Sequence, residues 1–509
     1  MKWCLLSLLA ASAAGSPLAS SPSSTSAQND KLDRNANHIF NAIHSSMRQW
    51  GSSLHHNGMS FFLAHLPAGT HFYHGTSHSQ PVTGTEWLAF EPEHAMVFAS
   101  RGFGGPPKNK PGPPGGQEPM QVVEEEEEEE EETENKGYLH TYAAAKDLRL
   151  LYIDGMSAAK TGLGTLDSQD HLLLNDELGR GNNGGRGGMG GGERERAVEM
   201  CRMAREDWVG RIDGILRMEA GFEIILCDFG RDLETVSISQ VKRRERGSGG
   251  GPGGSGNFNS WMKAIADRYD SIGGHRVSLD FDHFVTAYSY PLDLFPDKSF
   301  PLPRLEHIPA AELDRVRADL DAMILTRSPS ADNFDWQAVT DMIVKRYALE
   351  LRFLASGNLT TLESLQGEVE RVLSPFIDQS DSYENEFRRD TVTADRCARQ
   401  FISSRAPQES YAAQAVYRVA HAVCATLVAV SREESYPAAL GTLHRLIDWL
   451  AWSTWKQCNG CADNEICVVP IWPEGSLEDY QHPQCREALH PFVGGERYWG
   501  GGFHRRDEL

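Results

Sequence analysis

Positive charge is scarce in this sequence, and long apolar runs are absent beyond its first residues. Lysine and arginine number 49 against 71 aspartates and glutamates, a formal charge of −22. Phosphate backbones are held by clustered cations, so this balance excludes nucleic acid as a partner. The longest later apolar stretch, Val416 to Val430, is interrupted by Arg418 and His421. It falls short of the roughly 18 to 20 residues a spanning helix needs, so no membrane span is expected. No Gly-x-Ser-x-Gly elbow and no His-Glu-x-x-His pair occurs, which removes the usual serine-hydrolase and zinc-protease designs. Asp228-Phe229-Gly230 has no glycine-rich phosphate loop before it and no His-Arg-Asp loop anywhere, which removes kinase chemistry. No internal repeat of the solenoid kind is present. His71, His74 and His78 are near neighbours, but in a strand His71 and His74 point to opposite faces, which argues against a metal site there.

What is present starts with a short apolar run, Leu5 to Ala11, after a single lysine and before small residues with an Ala11-Ser12-Ala13 pattern. This predicts a secretory signal peptide over residues 1–15. The last four residues, Arg506-Asp507-Glu508-Leu509, resemble the retrieval signals that a receptor reads in the secretory pathway. Arginine replaces the usual first residue and keeps its charge. Together they predict residence in the lumen of the endoplasmic reticulum, with the retrieval receptor as a partner through the C-terminus. Of nine cysteines, Cys4 lies in the predicted signal peptide. The other eight are Cys201, Cys227, Cys397, Cys424, Cys458, Cys461, Cys467 and Cys485. An even count in an oxidising compartment predicts disulfides, with local pairing suggested by the clustering and connectivity left open. Asn358-Leu359-Thr360 is an N-glycosylation sequon, so Asn358 is a candidate acceptor.

Three low-complexity stretches punctuate the first half, at residues 102–135, 179–192 and 247–256. The first holds nine consecutive glutamates, Glu124 to Glu132, with Glu134 beside them. None of the three can bury enough apolar surface to offset its ordering entropy, so each is read as an insertion. Around them, short strands are expected at 70–74, 138–142, 148–153, 222–227 and 236–238. Helices are expected at 37–50, 93–100 and 193–208. The second half shows helical periodicity from Pro309, from Trp336 to Gly357, after a capping box at Thr360 to Glu363, and over 410–431 and 436–455. The expected class is α+β. An N-terminal mixed strand and helix domain (35–300) leads to a helical domain (301–456) and a Cys-rich tail (457–509).

One region carries candidate chemistry. His71-Phe72-Tyr73-His74-Gly75-Thr76 ends a strand, and Glu86-Trp87-Leu88-Ala89 precedes the Glu91-Pro92-Glu93-His94-Ala95 start of a helix. Glycine beside His74 gives a ligand room to approach the backbone. This order resembles the ADP-ribosyltransferase superfold in its His-Tyr-Glu branch, over roughly residues 60–240. The resemblance implies a split sheet and NAD as cofactor, bound by His74, Gly75 and Thr76. It places Trp87, where the family has tyrosine, against nicotinamide, and Glu219 or Glu223 as the acid. The whole chain also resembles uncharacterised fungal secretory-pathway proteins. Two other functions stay open. One is a non-catalytic luminal binding or folding-support protein. The other is a thiol-disulfide oxidoreductase using Cys458-Asn459-Gly460-Cys461, for which the following cysteines also offer a structural-disulfide or a zinc reading.

Overall fold

The structure is a computed structural model. It describes residues 24–99, 136–176, 192–241, 255–266, 276–297, 300–328, 333–379, 386–407, 409–487 and 498–499. The expected signal peptide, the glutamate tract, nearly all of the three low-complexity stretches and Arg506 to Leu509 lie outside these residues. The chain is α+β, as its sequence predicts, with a large sheet first, helices next and a disulfide-bonded tail.

Ten strands form one sheet. They are β1 (Asn57–Leu66), β2 (His71–Thr76), β3 (Glu86–Ala89), β4 (Gly137–Ala144), β5 (Leu148–Gly155), β6 (Gly214–Met218), β7 (Phe222–Leu226), β8 (Leu233–Val241), β9 (Ser278–Leu279) and β10 (Val285–Thr286). The order is β10-β1-β5-β6-β7-β3-β2-β4-β8, with β9 also against β1. Only β5 and β6 run parallel. β1 and β5 to β7 are apolar on both faces and lie mid-sheet, covered on both sides. β8 is an edge strand with a largely exposed, polar sequence, which suits an edge.

Helices α1 (Ser24–Ser45), α2 (Gln49–Leu54), α3 (Pro92–Ala99), α4 (Glu193–Arg205), α5 (Phe229–Asp232) and α6 (Ser255–Ala266) accompany the sheet. The helical half contains α7 (Ala310–Thr326), α8 (Trp336–Ala355), α9 (Leu362–Leu373), α10 (Glu386–Arg399), α11 (Tyr411–Val430) and α12 (Tyr436–Leu450). α9 is capped one residue later than the sequence suggested. Thr361 accepts from Ser364 N at 3.1 Å, and Ser364 Oγ accepts from Thr361 N at 3.3 Å, so serine rather than Glu363 completes the box.

α11 reaches the length and apolar composition that could cross a membrane, counted over Tyr411–Val430 rather than Val416–Val430. Here it is the core of the helical half, packed by α1, α8, α9, α10 and α12, with Val416, Val419, Ala420 and Val423 wholly buried. One apolar core runs from the sheet through α1 into the helices, so packing is continuous across residue 300. Asn37 and Asn41 of α1 donate to Trp449 O and Leu450 O at 2.6 and 2.9 Å, fixing the first helix to the end of α12.

The tail holds β11 (Glu465–Val468), α13 (Leu477–Gln481) and β12 (Gln484–Glu487). Disulfides join Cys201 to Cys227, Cys397 to Cys424, Cys458 to Cys467 and Cys461 to Cys485. The first ties α4 to the end of β7, and the second ties α10 to α11.

Candidate functional site

His74 does not meet the glutamates with which the resemblance grouped it. In the antiparallel register Tyr73 pairs Ala89, which pairs Glu223, which pairs Arg217. Paired residues share a face, so Glu223 lies on one side of the sheet with Trp87, and His74 on the other. His74 Nδ1 bonds Trp87 O at 2.8 Å, and the ring is edge-on to His140 and Phe229. Its Nε2 is buried without a hydrogen-bond partner. Burial lowers its pKa to about 4, so it is neutral. Gly75 also has a different use from the one expected. A Cβ there would sit 1.9 Å from Ala95 O, so the missing side chain admits helix α3 rather than a ligand. Thr76 is buried on the His74 side, and Trp87 is core with its Nε1 unpartnered. These residues do not form the shared NAD cleft that the resemblance implies.

Glu219 and Glu223 do come together, with residues the sequence reading passed over. The β6–β7 hairpin turns through Glu219-Ala220-Gly221, closed by Glu219 N to Gly221 O at 3.0 Å. Arg217 is fully buried in β6. It donates to Glu223 Oε1 at 2.9 Å, to Gln169 Oε1 at 2.7 Å and to the Glu193 carboxylate at the start of α4. Lys160, from the loop after β5, donates to Glu219 Oε1 at 2.7 Å and lies 5.4 Å from the ring centre of Trp472. His94, in the first turn of α3, stacks on Trp261 of α6 at 5.0 Å. Its Nδ1 is buried with no hydrogen-bond partner. A Cβ on Gly221 would stand 3.1 Å from that nitrogen and 3.6 Å from a Glu91 oxygen, so glycine at the turn lets helix α3 bring both groups in.

The electrostatics follow from burial. Glu91, Glu193, Glu219 and Glu223 are all buried; Lys160 pairs with Glu219, Arg217 with Glu193 and Glu223, and Arg196 stands 3.9 Å from Glu193. Burial penalises the charged form of each carboxylate, and the paired cations oppose that penalty. Burial pushes Glu219 above the usual carboxylate range, the Lys160 ammonium opposes this, and the Glu223 charge adds to it. His94 goes the other way. Burial lowers its pKa to about 4 despite the Glu223 charge, so the ring has a free acceptor position. A carboxyl biased to keep a proton and an imidazole biased to lack one are the two halves of an acid–base pair. Beside it, Trp50, Ala220, Trp261, Ile265, Val469 and Ile471 form one apolar cluster, joined to the site where Trp261 stacks on His94.

One sequence signal could have found this cluster. Arg217 in Gly214-Ile215-Leu216-Arg217-Met218 and Glu223 in Phe222-Glu223-Ile224-Ile225-Leu226 are lone charges in buried strands, which require buried partners.

The C-x-x-C cysteines are not a redox pair. Cys458 is bonded to Cys467 and Cys461 to Cys485, so neither is an available thiol, which removes the oxidoreductase and zinc readings. Their sulfurs are close enough for a metal site only by proximity. Asn358 is exposed in the turn after α8, with its N–H bonded to Ser356 Oγ at 3.2 Å.

Residues 29–138 and 108–247 match the family described as the YPL277C N-terminal domain. The chain is 37% identical over 221 residues to "Uncharacterized protein YPL277C" of Saccharomyces cerevisiae, covering 41% of this chain and 43% of that one. It is 37% identical over 221 residues to "Uncharacterized protein YOR389W" of the same yeast, covering 34% of that protein. The chain thus spans less than half the length of the curated relatives it matches. No solved structure matches it. Glu91, His94, Lys160, Arg217, Glu219 and Glu223 all lie within residues 29–247, the part of the chain that is similar to the YPL277C N-terminal domain.

Proposed function

We propose that this protein works in the lumen of the endoplasmic reticulum and that its chemistry is acid–base catalysis at the Glu219–Lys160–Glu223–His94 centre. The observation that carries the chemical part is the geometry of the Gly221 turn, where Lys160 holds Glu219 Oε1 at 2.7 Å and a Cβ on Gly221 would stand 3.1 Å from the unpartnered His94 Nδ1, with burial raising the Glu219 carboxyl above its usual range. Such a pair suits hydrolytic or proton-transfer chemistry on a small uncharged substrate, with Glu219 as acid, His94 as base, and Arg217 positioning Glu223. The compartment is supported by the pairing of every cysteine after Cys4 in a disulfide.

The test has two arms. Full chain and chain lacking Arg506 to Leu509 are expressed in a fungal host. The full chain is expected inside the cell in endoglycosidase-sensitive form at Asn358, and the shortened chain in the medium. Equal secretion of both would remove the retrieval proposal. The purified protein is then incubated with fluorogenic glycosides and esters. Turnover abolished by Glu219→Gln supports the catalytic reading, and turnover untouched by it refutes the assignment.

A second reading, a non-catalytic binding or folding-support protein, is favoured by one observation. Trp261 stacks on His94 and packs in one apolar cluster with Val469 and Ile471. It predicts no turnover and co-purification of secretory clients. NAD has no site here that joins His74 to Glu219 or Glu223, and calorimetry with NAD is expected to give no binding heat.

A further inference from the structure

The Cys-rich tail leaves a depression of about 430 Å³ beside α8, lined by residues 455–459, residues 481–485 and Arg352. Its frame is held covalently, since Cys458 is bonded into β11 and Cys461 into β12. The charge on the lining is one-sided. Arg352 and Lys456 contribute to it, and no aspartate or glutamate does. In a chain of net charge −22 such a patch is against the average. Arg352 forms no ion pair among the described residues. Lys456 donates from Nζ to Tyr480 O at 2.7 Å and lies 3.9 Å from the centre of the Tyr480 ring, neither of which neutralises it. Burial alone pulls its pKa down to about 8, so it is still an ammonium at neutral pH with no carboxylate beside it. Asp479, in the helix before this loop, is held by Arg486 at 2.8 Å and by the Ser476 cap. A half-buried cation without a counter-ion is costly, and an incoming anion relieves that cost. Gln457, Asn459 and Gln484 supply amides that both donate and accept. A bare inorganic ion would leave most of this volume unfilled, whereas a small organic anion would occupy it.

We propose that this depression binds a carboxylate-bearing ligand of the acidic-peptide class, with Arg352 and Lys456 on the carboxylate and the amides of Gln457, Asn459 and Gln484 on its polar remainder. The site is separate from the Glu219 centre and stands or falls without it. The test is calorimetry on the full chain, purified with disulfides intact, using tetraglutamate, tetraglutamine and inorganic phosphate. Tetraglutamate is expected to bind, more weakly as salt is raised. Tetraglutamine is expected not to bind, and phosphate to bind more weakly than the acidic peptide. Arg352→Ala and Gln484→Glu are each expected to weaken tetraglutamate binding by about tenfold or more. Both residues are exposed, so circular dichroism and the non-reduced mass should match the parent. The proposal is overturned by no tetraglutamate binding, by equal binding of tetraglutamine or phosphate, or by unchanged affinity in both variants.

Discussion

Arg217 shows how one side chain organises the centre. Its guanidinium spends its donors on Glu223, Gln169 and Glu193, all buried. Removing it takes a fully buried cation away from two buried carboxylates, Glu193 and Glu223. Arg217→Met is expected to cost about 3 to 5 kcal/mol in urea unfolding. Arg217→Met combined with Glu223→Leu and Glu193→Gln should recover much of that loss, and failure to recover any would mean the network is not the cause. The buried histidines set the pH response. His38, His44 and His56 are lowered to about 3, and His55, His74 and His94 to about 4, in each case mainly by burial. As pH falls below the unfolded value near 6.5, the unfolded chain takes up protons that these rings refuse. Stability therefore falls between about pH 6.5 and 4, by up to about 1.4 kcal/mol per pH unit for each ring. Asp154 opposes this, since burial raises it to about 7 and the folded state holds its proton over the same interval. Glu219 acts in the same sense as Asp154. Six rings outweigh two carboxyls, so the urea midpoint at pH 5 is expected below that at pH 7.5. An equal or higher midpoint at pH 5 would contradict this balance.

At the scale of elements, the helix α3 is seated by missing side chains. A Cβ at Gly75 would overlap Ala95 O, and one at Gly137 would overlap Ala99 O. Gly75→Ala must push α3 off the sheet and take His94 with it. A loss of about 2 to 4 kcal/mol is expected in thermal or urea unfolding, together with a change in Trp261 fluorescence, since His94 stacks on that ring. Much of this level was legible in the sequence. The apolar spacing of Leu313, Val316, Leu320 and Met323 predicts α7, and the same signal predicts α8, α11 and α12. Asn57 to Leu66 was missed as a strand because it is apolar on both faces and shows no alternation. α10 was missed because half of its residues are charged and few are apolar, and it is held through the Cys397–Cys424 bond and a narrow buried stripe. The candidate site was legible only in part. Glu219 and Glu223 stood out as charges, whereas Lys160, His94 and Glu91 come from loops and turns whose approach depends on the register and on Gly221. His74 was drawn to them by sequence order, and the parity of the strand pairs sends it to the other face.

For the molecule as a whole, the disulfides tie together parts that packing alone holds less firmly. Cys201–Cys227 and Cys397–Cys424 close loops of 26 and 27 residues. Each is worth about 3.5 kcal/mol by loop entropy. Cys458–Cys467 and Cys461–Cys485 hold the tail whose Val469 and Ile471 pack in one apolar cluster with Trp261. Reduction should therefore loosen the tail before the sheet, seen as faster amide exchange at residues 465–472 than in β5 to β7. Exchange that accelerates equally in both would mean that the tail is not a separate unit. The oxidised state also underlies the proposed compartment, because four disulfides persist only where thiols are not kept reduced. The most direct test is a peptide map, under non-reducing conditions and after thiol blocking, of the protein isolated from the cells that make it. The account predicts Cys201–Cys227, Cys397–Cys424, Cys458–Cys467 and Cys461–Cys485, with no blocked thiol among the eight. Free, blocked cysteines at these positions, or a Cys458–Cys461 bond, would contradict it.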